Sequence, residues 1–172
     1  MIVIVAPGQG SQTPGFLEPW LDLEGAREQL GAISDAVGID LVAHGTTSDA
    51  DTIRDTKVAQ PLIVAAGLLT LSSLFADGRQ KVGGVAGHSV GEVTAAAAAG
   101  ILSDTDAVAF VRERGRAMAD AAALEPTGMS AVLGGDEAAL LERLAELDLF
   151  PANFNGGGQL VVAGALPALA AL

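Results

Sequence analysis

Ser89 stands in Gly87-His88-Ser89-Val90-Gly91, a serine with a glycine two places away on either side. That spacing lets a chain turn sharply from a strand into a helix with the serine at the apex, its hydroxyl projecting and a helix N-terminus behind the reacting carbonyl. The chemistry it suits is acyl transfer through a covalent serine ester. The same residues also have a purely structural reading: Ser89-Val90-Gly91-Glu92 matches a capping box, in which Ser89 caps the following helix. Capping accounts for Ser89 but not for Gly87.

A tetrahedral oxyanion needs a second backbone donor besides the Val90 amide that follows the serine. Gln9, flanked by Gly8 and Gly10 at the end of the first apolar run, is the candidate. Gly8-Gln9-Gly10 is otherwise an ordinary turn. As a dinucleotide fingerprint it fails, because Thr13 replaces the third glycine and Pro14 follows.

Arg114 is the second side chain of chemical interest. Its helical-wheel neighbours at 107, 110, 111, 117, 118 and 121 are Ala, Phe, Val, Ala, Met and Ala, which sets it in the middle of an apolar stripe. A guanidinium so placed requires an anion, either a protein carboxylate or a substrate carboxylate gripped by two parallel hydrogen bonds. His88 adjoins the serine, but consecutive side chains diverge at a sharp turn, and it reads as a packing residue. His44, in Ala43-His44-Gly45, falls in a loop.

These residues need a scaffold of alternating strands and helices. Met1 to Ala6 reads as a buried strand and not a signal peptide, since it lacks a basic flank and ends at Pro7-Gly8. Helices are expected over Leu23 to Val37 and over Pro61 to Ala76, the second opening on proline at its first position and stopped by Asp77-Gly78. A short strand from Val82 to Gly87 and an alanine-rich helix from Val90 to Ala99 bracket the serine. Ser103 and Asp106 cap a helix that runs to about Ala123. Pro126-Thr127-Gly128 then marks a boundary, dividing 1–126 from 127–172. Beyond it the pattern is a strand (Met129 to Leu133), a helix (Asp136 to Leu147) and a strand (Gln159 to Gly164), a small βαβ-type unit. The chain stops inside an apolar helical start, Leu166 to Leu172, and four strands are few for an α/β protein of 172 residues, so the natural fold is expected to continue.

Composition narrows the function. Half of the residues are hydrophobic and 17% are charged, as in a compact globular protein. The net charge of −12 argues against nucleic-acid and anionic-membrane partners. There is no cysteine, which excludes disulfides and thiolate sites and suits a cytoplasmic location. The longest apolar run, Leu62 to Ala76, is shorter than the ~20 residues of a membrane helix and reads as a core helix.

Together these segments resemble the malonyl-CoA:acyl carrier protein transacylases of fatty-acid synthesis and the related acyltransferase domains of polyketide synthases. Pro7-Gly8-Gln9-Gly10-Ser11-Gln12, Gln60-Pro61, Gly87-His88-Ser89-Val90-Gly91-Glu92 and Arg114-Gly115-Arg116-Ala117-Met118 occur in the family's order. The resemblance implies an incomplete α/β-hydrolase-like core with an appended, truncated ferredoxin-like α+β subdomain. It implies that Ser89 is acylated, that the amides of Gln9 and Val90 hold the oxyanion, and that Arg114 pairs with the malonyl carboxylate. Gln60, His88 and Asn155 are candidates for lining the cleft. Malonyl-CoA and acyl carrier protein are the implied partners, with no metal and no bound cofactor. The family's catalytic histidine is expected beyond Leu172. Ala6 departs from the pattern, in which an aromatic residue often precedes the proline. Two other readings stay open, a serine hydrolase or thioesterase on the same elbow and a non-catalytic fragment that binds partners.

Overall fold

The structure, a computed structural model, describes residues 1–75 and 82–172. The expected helix stop at Asp77-Gly78 lies outside these residues. Two compact units are present, 1–119 and 120–172, so the division comes within a helix and ahead of Pro126.

The first unit runs β1 (Ile2–Ala6), a 3-10 turn (Glu18–Trp20), α1 (Ala26–Val37), α2 (Leu41–Thr46), α3 (Ala50–Arg54), α4 (Thr56–Leu74), β2 (Val82–Gly87), α5 (Gly91–Ala98) and α6 (Asp104–Ala122), the last crossing into the second unit. β1 and β2 are parallel neighbours, with Ala6 opposite Gly87. Parallel pairing requires a long crossover, and the helices α1 to α4 lie within it. The expected burial of β1 is not met: Ile2, Val3 and Val5 are 48%, 50% and 73% exposed, and within the strand only Ala6 is buried.

Three aspartates organise the crossover. Asp40, Asp49 and Asp55 accept hydrogen bonds from the amides of Ala43, Thr52 and Lys57 at 3.0, 2.8 and 2.9 Å, capping α2, α3 and α4. The Thr52 amide also holds the Asp49 carboxyl below the usual carboxylate range. His44 therefore sits in α2 and not in a loop, its ring hydrogen-bonded to Ser48 Oγ at 2.9 Å. The cap at Asp55 also moves the start of α4 from the expected Pro61 back to Thr56, leaving Pro61 inside the helix. An aspartate with a free run of helix-compatible residues after it starts the helix earlier than proline does.

So extended, α4 has 19 residues and is, by length and composition alone, apolar enough to cross a membrane. It is nevertheless the axis of a protein core. Leu62, Val64, Ala65, Leu68 and Leu69 are buried, and the core includes Leu30 of α1, Leu41 of α2, Ile53 of α3, Val93 of α5 and Val111 of α6. α4 and α5 approach closely where Gly67 meets Thr94, leaving no room for a side chain at 67. Ser103 caps α6 as expected, accepting from the Asp106 amide at 3.0 Å and donating to Asp106 Oδ2 at 2.7 Å.

The second unit contains β3 (Thr127–Leu133), α7 (Glu137–Glu146), β4 (Phe150–Gly156), β5 (Gln159–Ala165) and α8 (Leu166–Ala170). Its sheet has the order β3-β5-β4 with both pairings antiparallel. The sequence reading missed β4, whose Pro151, Asn153, Asn155 and Gly156 are poor strand formers. As a result the strand that follows α7 is β4, and β5 lies between the two strands that α7 connects. Leu144, Leu149, Leu160 and Val162 form this unit's core.

Leu68 is completely buried at the centre of α4. Leu68→Ala is expected to lower the stability of the first unit by about 2–5 kcal/mol, read as a shift in the urea midpoint; a loss below about 1 kcal/mol would show that α4 is not the core's axis.

Candidate active site

The site grows from a close approach of backbones at the end of β2. A side-chain carbon built on Gly87 would collide with the main chain of Gly91 and Glu92, and one on Gly91 would collide with the carbonyls of Ala6 and Pro7. Both glycines are therefore required by space, the first by the helix that follows and the second by the strand alongside. His88 ties the turn down, donating its amide to Ala6 O at 3.1 Å and accepting from the Gly91 amide at 2.9 Å.

Between these fixed points Ser89 takes φ = +54°, a left-handed conformation costly to any residue with a Cβ. The capping reading is overturned here. Val90 is the N-cap of α5 and no side chain caps the helix. The Ser89 hydroxyl is instead exposed and accepts a hydrogen bond from Arg114 Nη2 at 3.3 Å.

Arg114 reaches Ser89 from α6. The buried seam of that helix is Ala107, Val108, Val111 and Gly115, while Phe110 and Met118 are 53% and 43% exposed. Arg114 is thus at the edge of the seam, not in the middle of the apolar stripe expected from the helical wheel. The wheel counted Phe110 and Met118 as core because they are apolar, although the contact with α4 is made by Gly115. A Cβ on Gly115 would stand 3.1 Å from Thr56 O and 3.7 Å from Gln60 Cβ, so the two helices meet there nearly backbone to backbone.

The anion question raised by Arg114 has a specific answer among the described residues: no carboxylate pairs with it. Its Nη1 donates to Gln60 Oε1 at 2.6 Å. Gln60 is 1% exposed and donates its Nε2 to Met118 Sδ at 3.1 Å. The neighbouring arginines behave differently. Arg112 and Arg116 both pair with Glu113, at 3.3 and 2.8 Å, and Arg116 foremost holds the Glu113 carboxyl below its usual range.

The glycine-rich loop after β1 lies against the turn. A side chain at Gly8 would meet His88 Nδ1 at 2.6 Å and His88 O at 3.0 Å. Gln9 anchors the loop to the α3–α4 junction, donating Nε2 to Arg54 O at 3.2 Å and to Thr56 Oγ1 at 3.3 Å. Gln12 adds a second anchor, donating to Ile53 O at 3.0 Å and accepting from the Gly10 amide at 2.8 Å. Among the described residues, neither the Gln9 amide nor the Val90 amide donates to a protein acceptor. Ser89, Val90, Gln9, Gln60, His88 and Arg114 all belong to the first unit. Asn155 belongs to the second, on β4, where its Nδ2 donates to Gln159 Oε1 at 2.8 Å. Thr56 and the Met118 sulfur were missed as polar partners; an aspartate-capped start of α4 at 56 was the readable signal for the first.

The sequence that builds this arrangement matches a known family of sequences. The family model described as "Acyl transferase domain" covers residues 3–172. The chain belongs to the acyl transferase domain family. Within it, the chain is 56% identical over 173 residues to the malonyl CoA-acyl carrier protein transacylase of Mycobacterium tuberculosis strain H37Rv, covering 98% of this chain and 57% of that protein. It is 54% identical over 155 residues to the protein of the same name from Mycolicibacterium smegmatis, covering 90% of this chain and 53% of that one. Its fold is similar to the crystal structure of MCAT from Mycobacterium tuberculosis, with a TM-score of 0.95 at 55% identity over 100% of this chain and 58% of that chain. The chain therefore spans a little over half the length of these acyl transferase relatives.

The strain at Ser89 yields a test independent of turnover. Ser89→Gly is expected to be more stable than Ser89→Ala by about 1 kcal/mol, since only glycine occupies the left-handed region without penalty. Equal melting temperatures for the two variants would mean that the turn is not held as described.

Proposed function

We propose that this chain carries the acyl-accepting site of a malonyl-CoA:acyl carrier protein transacylase. The observation that carries the reading is the Arg114 guanidinium at the Ser89 hydroxyl, paired with no carboxylate among the described residues. A cation at the nucleophile suits an acyl group with its own negative charge.

In the proposed reaction Ser89 Oγ attacks the thioester carbonyl of malonyl-CoA and loses its proton to a general base, which the family resemblance assigns to a histidine beyond Leu172. The carbonyl oxygen becomes an oxyanion held by the amides of Gln9 and Val90, at the N-terminus of α5. Arg114 holds the free malonyl carboxylate. The C–S bond breaks, coenzyme A leaves as the thiol with the proton from the base, and malonyl remains on Ser89 as an ester. The phosphopantetheine thiol of acyl carrier protein then attacks that ester by the reverse path and regenerates the serine. No metal or bound cofactor enters these steps, and a cytoplasmic location suits such a carrier-dependent reaction.

Fold details follow the same reading. We infer that 1–126 forms part of an α/β-hydrolase-like acyltransferase core, supported by the strand-turn-helix at Ser89. The segment 127–172 is read as part of a ferredoxin-like subdomain, supported by β5 lying between the two strands that α7 connects.

Two measurements test the site. In a protein that includes the histidine-bearing segment, brief exposure to malonyl-CoA should raise the intact mass by one malonyl group, and Ser89→Ala should abolish the increment; an increment that survives in the variant would place the ester elsewhere. Arg114→Ala should slow malonyl transfer roughly 10–100-fold while leaving acetyl transfer much less affected, since hydrogen bonds to charged groups are the stronger ones. An equal loss for both acyl groups would remove Arg114 from carboxylate recognition.

A further inference from the structure

The residue that decides what Arg114 can bind is Gln60. An arginine has only donors, so the Gln60 amide must present its oxygen to Nη1 and its nitrogen to the other side. The other side is Met118 Sδ, a weak acceptor at 3.1 Å. The amide is thereby locked in one orientation, in a residue that is 1% exposed and rooted on α4 where Gly115 brings α6 against it. Gln60 thus holds the guanidinium in place with a dipole and adds no charge. Arg112 and Arg116, on the same helix, are each already paired with a carboxylate, Glu113. Arg114 differs from them through the residue that faces it.

We propose that Gln60 is a specificity-determining positioning residue: it aims Arg114 at Ser89 through a neutral acceptor and so keeps the arginine's charge available to an anionic acyl group. This rests on the reading of Ser89 as the acylated residue. A carboxylate at 60 would be of nearly equal size and would keep the same hydrogen bond. It would ionise beside Arg114, neutralise it, and repel an incoming acyl carboxylate. Selectivity for a charged over a neutral acyl group would then fall without loss of the fold.

The test uses the full chain and two readouts. In a Ser89→Ala background, binding of malonyl-CoA and of acetyl-CoA is measured by calorimetry, and the ratio of the two affinities is compared for Gln60, Gln60→Glu and Gln60→Met. With Gln60 present, malonyl-CoA is expected to bind more tightly by about tenfold or more. Gln60→Glu should bring the ratio close to one, and Gln60→Met, which keeps the volume but drops the oxygen, should give an intermediate ratio. A purely structural role would weaken both thioesters alike and leave the ratio unchanged, and that result would overturn the proposal, as would the lack of any preference with Gln60 present. The second readout is the malonyl mass increment with Ser89 restored. Its failure in every variant of a protein that includes the histidine-bearing segment would remove the acyl-serine reading, while an increment in Gln60→Glu with an unchanged preference for malonyl would remove only the role of Gln60.

Discussion

Everything at the site depends on how closely main chain can pack on main chain where β1, β2 and α5 converge. The carbonyls of Ala6 and Pro7 lie against Gly91, and the start of α5 lies against Gly87. With no side chain to separate them, the strand and helix ends are forced together and the residue between must take up the remaining angle. That residue is Ser89, and its positive φ is the local cost of the convergence. The left-handed turn lifts the hydroxyl away from the helix cap position and toward the arginine. Exposure of the serine and its strain are consequences of one packing constraint.

A second level of positioning comes from the helices. Aspartate caps fix where α2, α3 and α4 begin, and the start of α4 determines where Gln60 and Thr56 face the site. Thr56 then receives the Gln9 side chain, and Gln60 receives Arg114. The loop and the arginine therefore share one reference, the first turns of α4, although the two segments are far apart in sequence. Burial of Leu62, Val64, Leu68 and Leu69 holds that reference still.

The elbow was legible in the sequence because glycine at two fixed offsets has few explanations besides close approach. Arg114 was legible as an oddity, but its surroundings were not: hydrophobicity ranks Phe110 and Met118 above Gly115 as core residues, and the helix contact selects the glycine because it lets backbones touch. The start of α4 was misread because proline is a conspicuous marker and Asp55 an inconspicuous one, even though the carboxylate cap is the stronger determinant. β4 was unreadable for a related reason, its asparagine, proline and glycine being turn formers that pairing with β5 overrides. His44 shows the same limit, since a six-residue helix has too little periodicity to announce itself.

Gly115 and Arg114 are adjacent, yet they answer to different demands. Residue 115 sets the spacing of α6 from α4, and residue 114 only extends across the gap that this spacing creates. The two jobs are therefore separable: on the proposed reading, an exchange of the side chain at 114 would change which acyl group is favoured while the helix pair, and with it the surroundings of Ser89, stays as it was. Residue 115 has less freedom, because even a Cβ there would stand 3.1 Å from Thr56 O and press on the first turn of α4. The side chain that faces Ser89 and the residue that sets the helix spacing are thus neighbours under separate constraints.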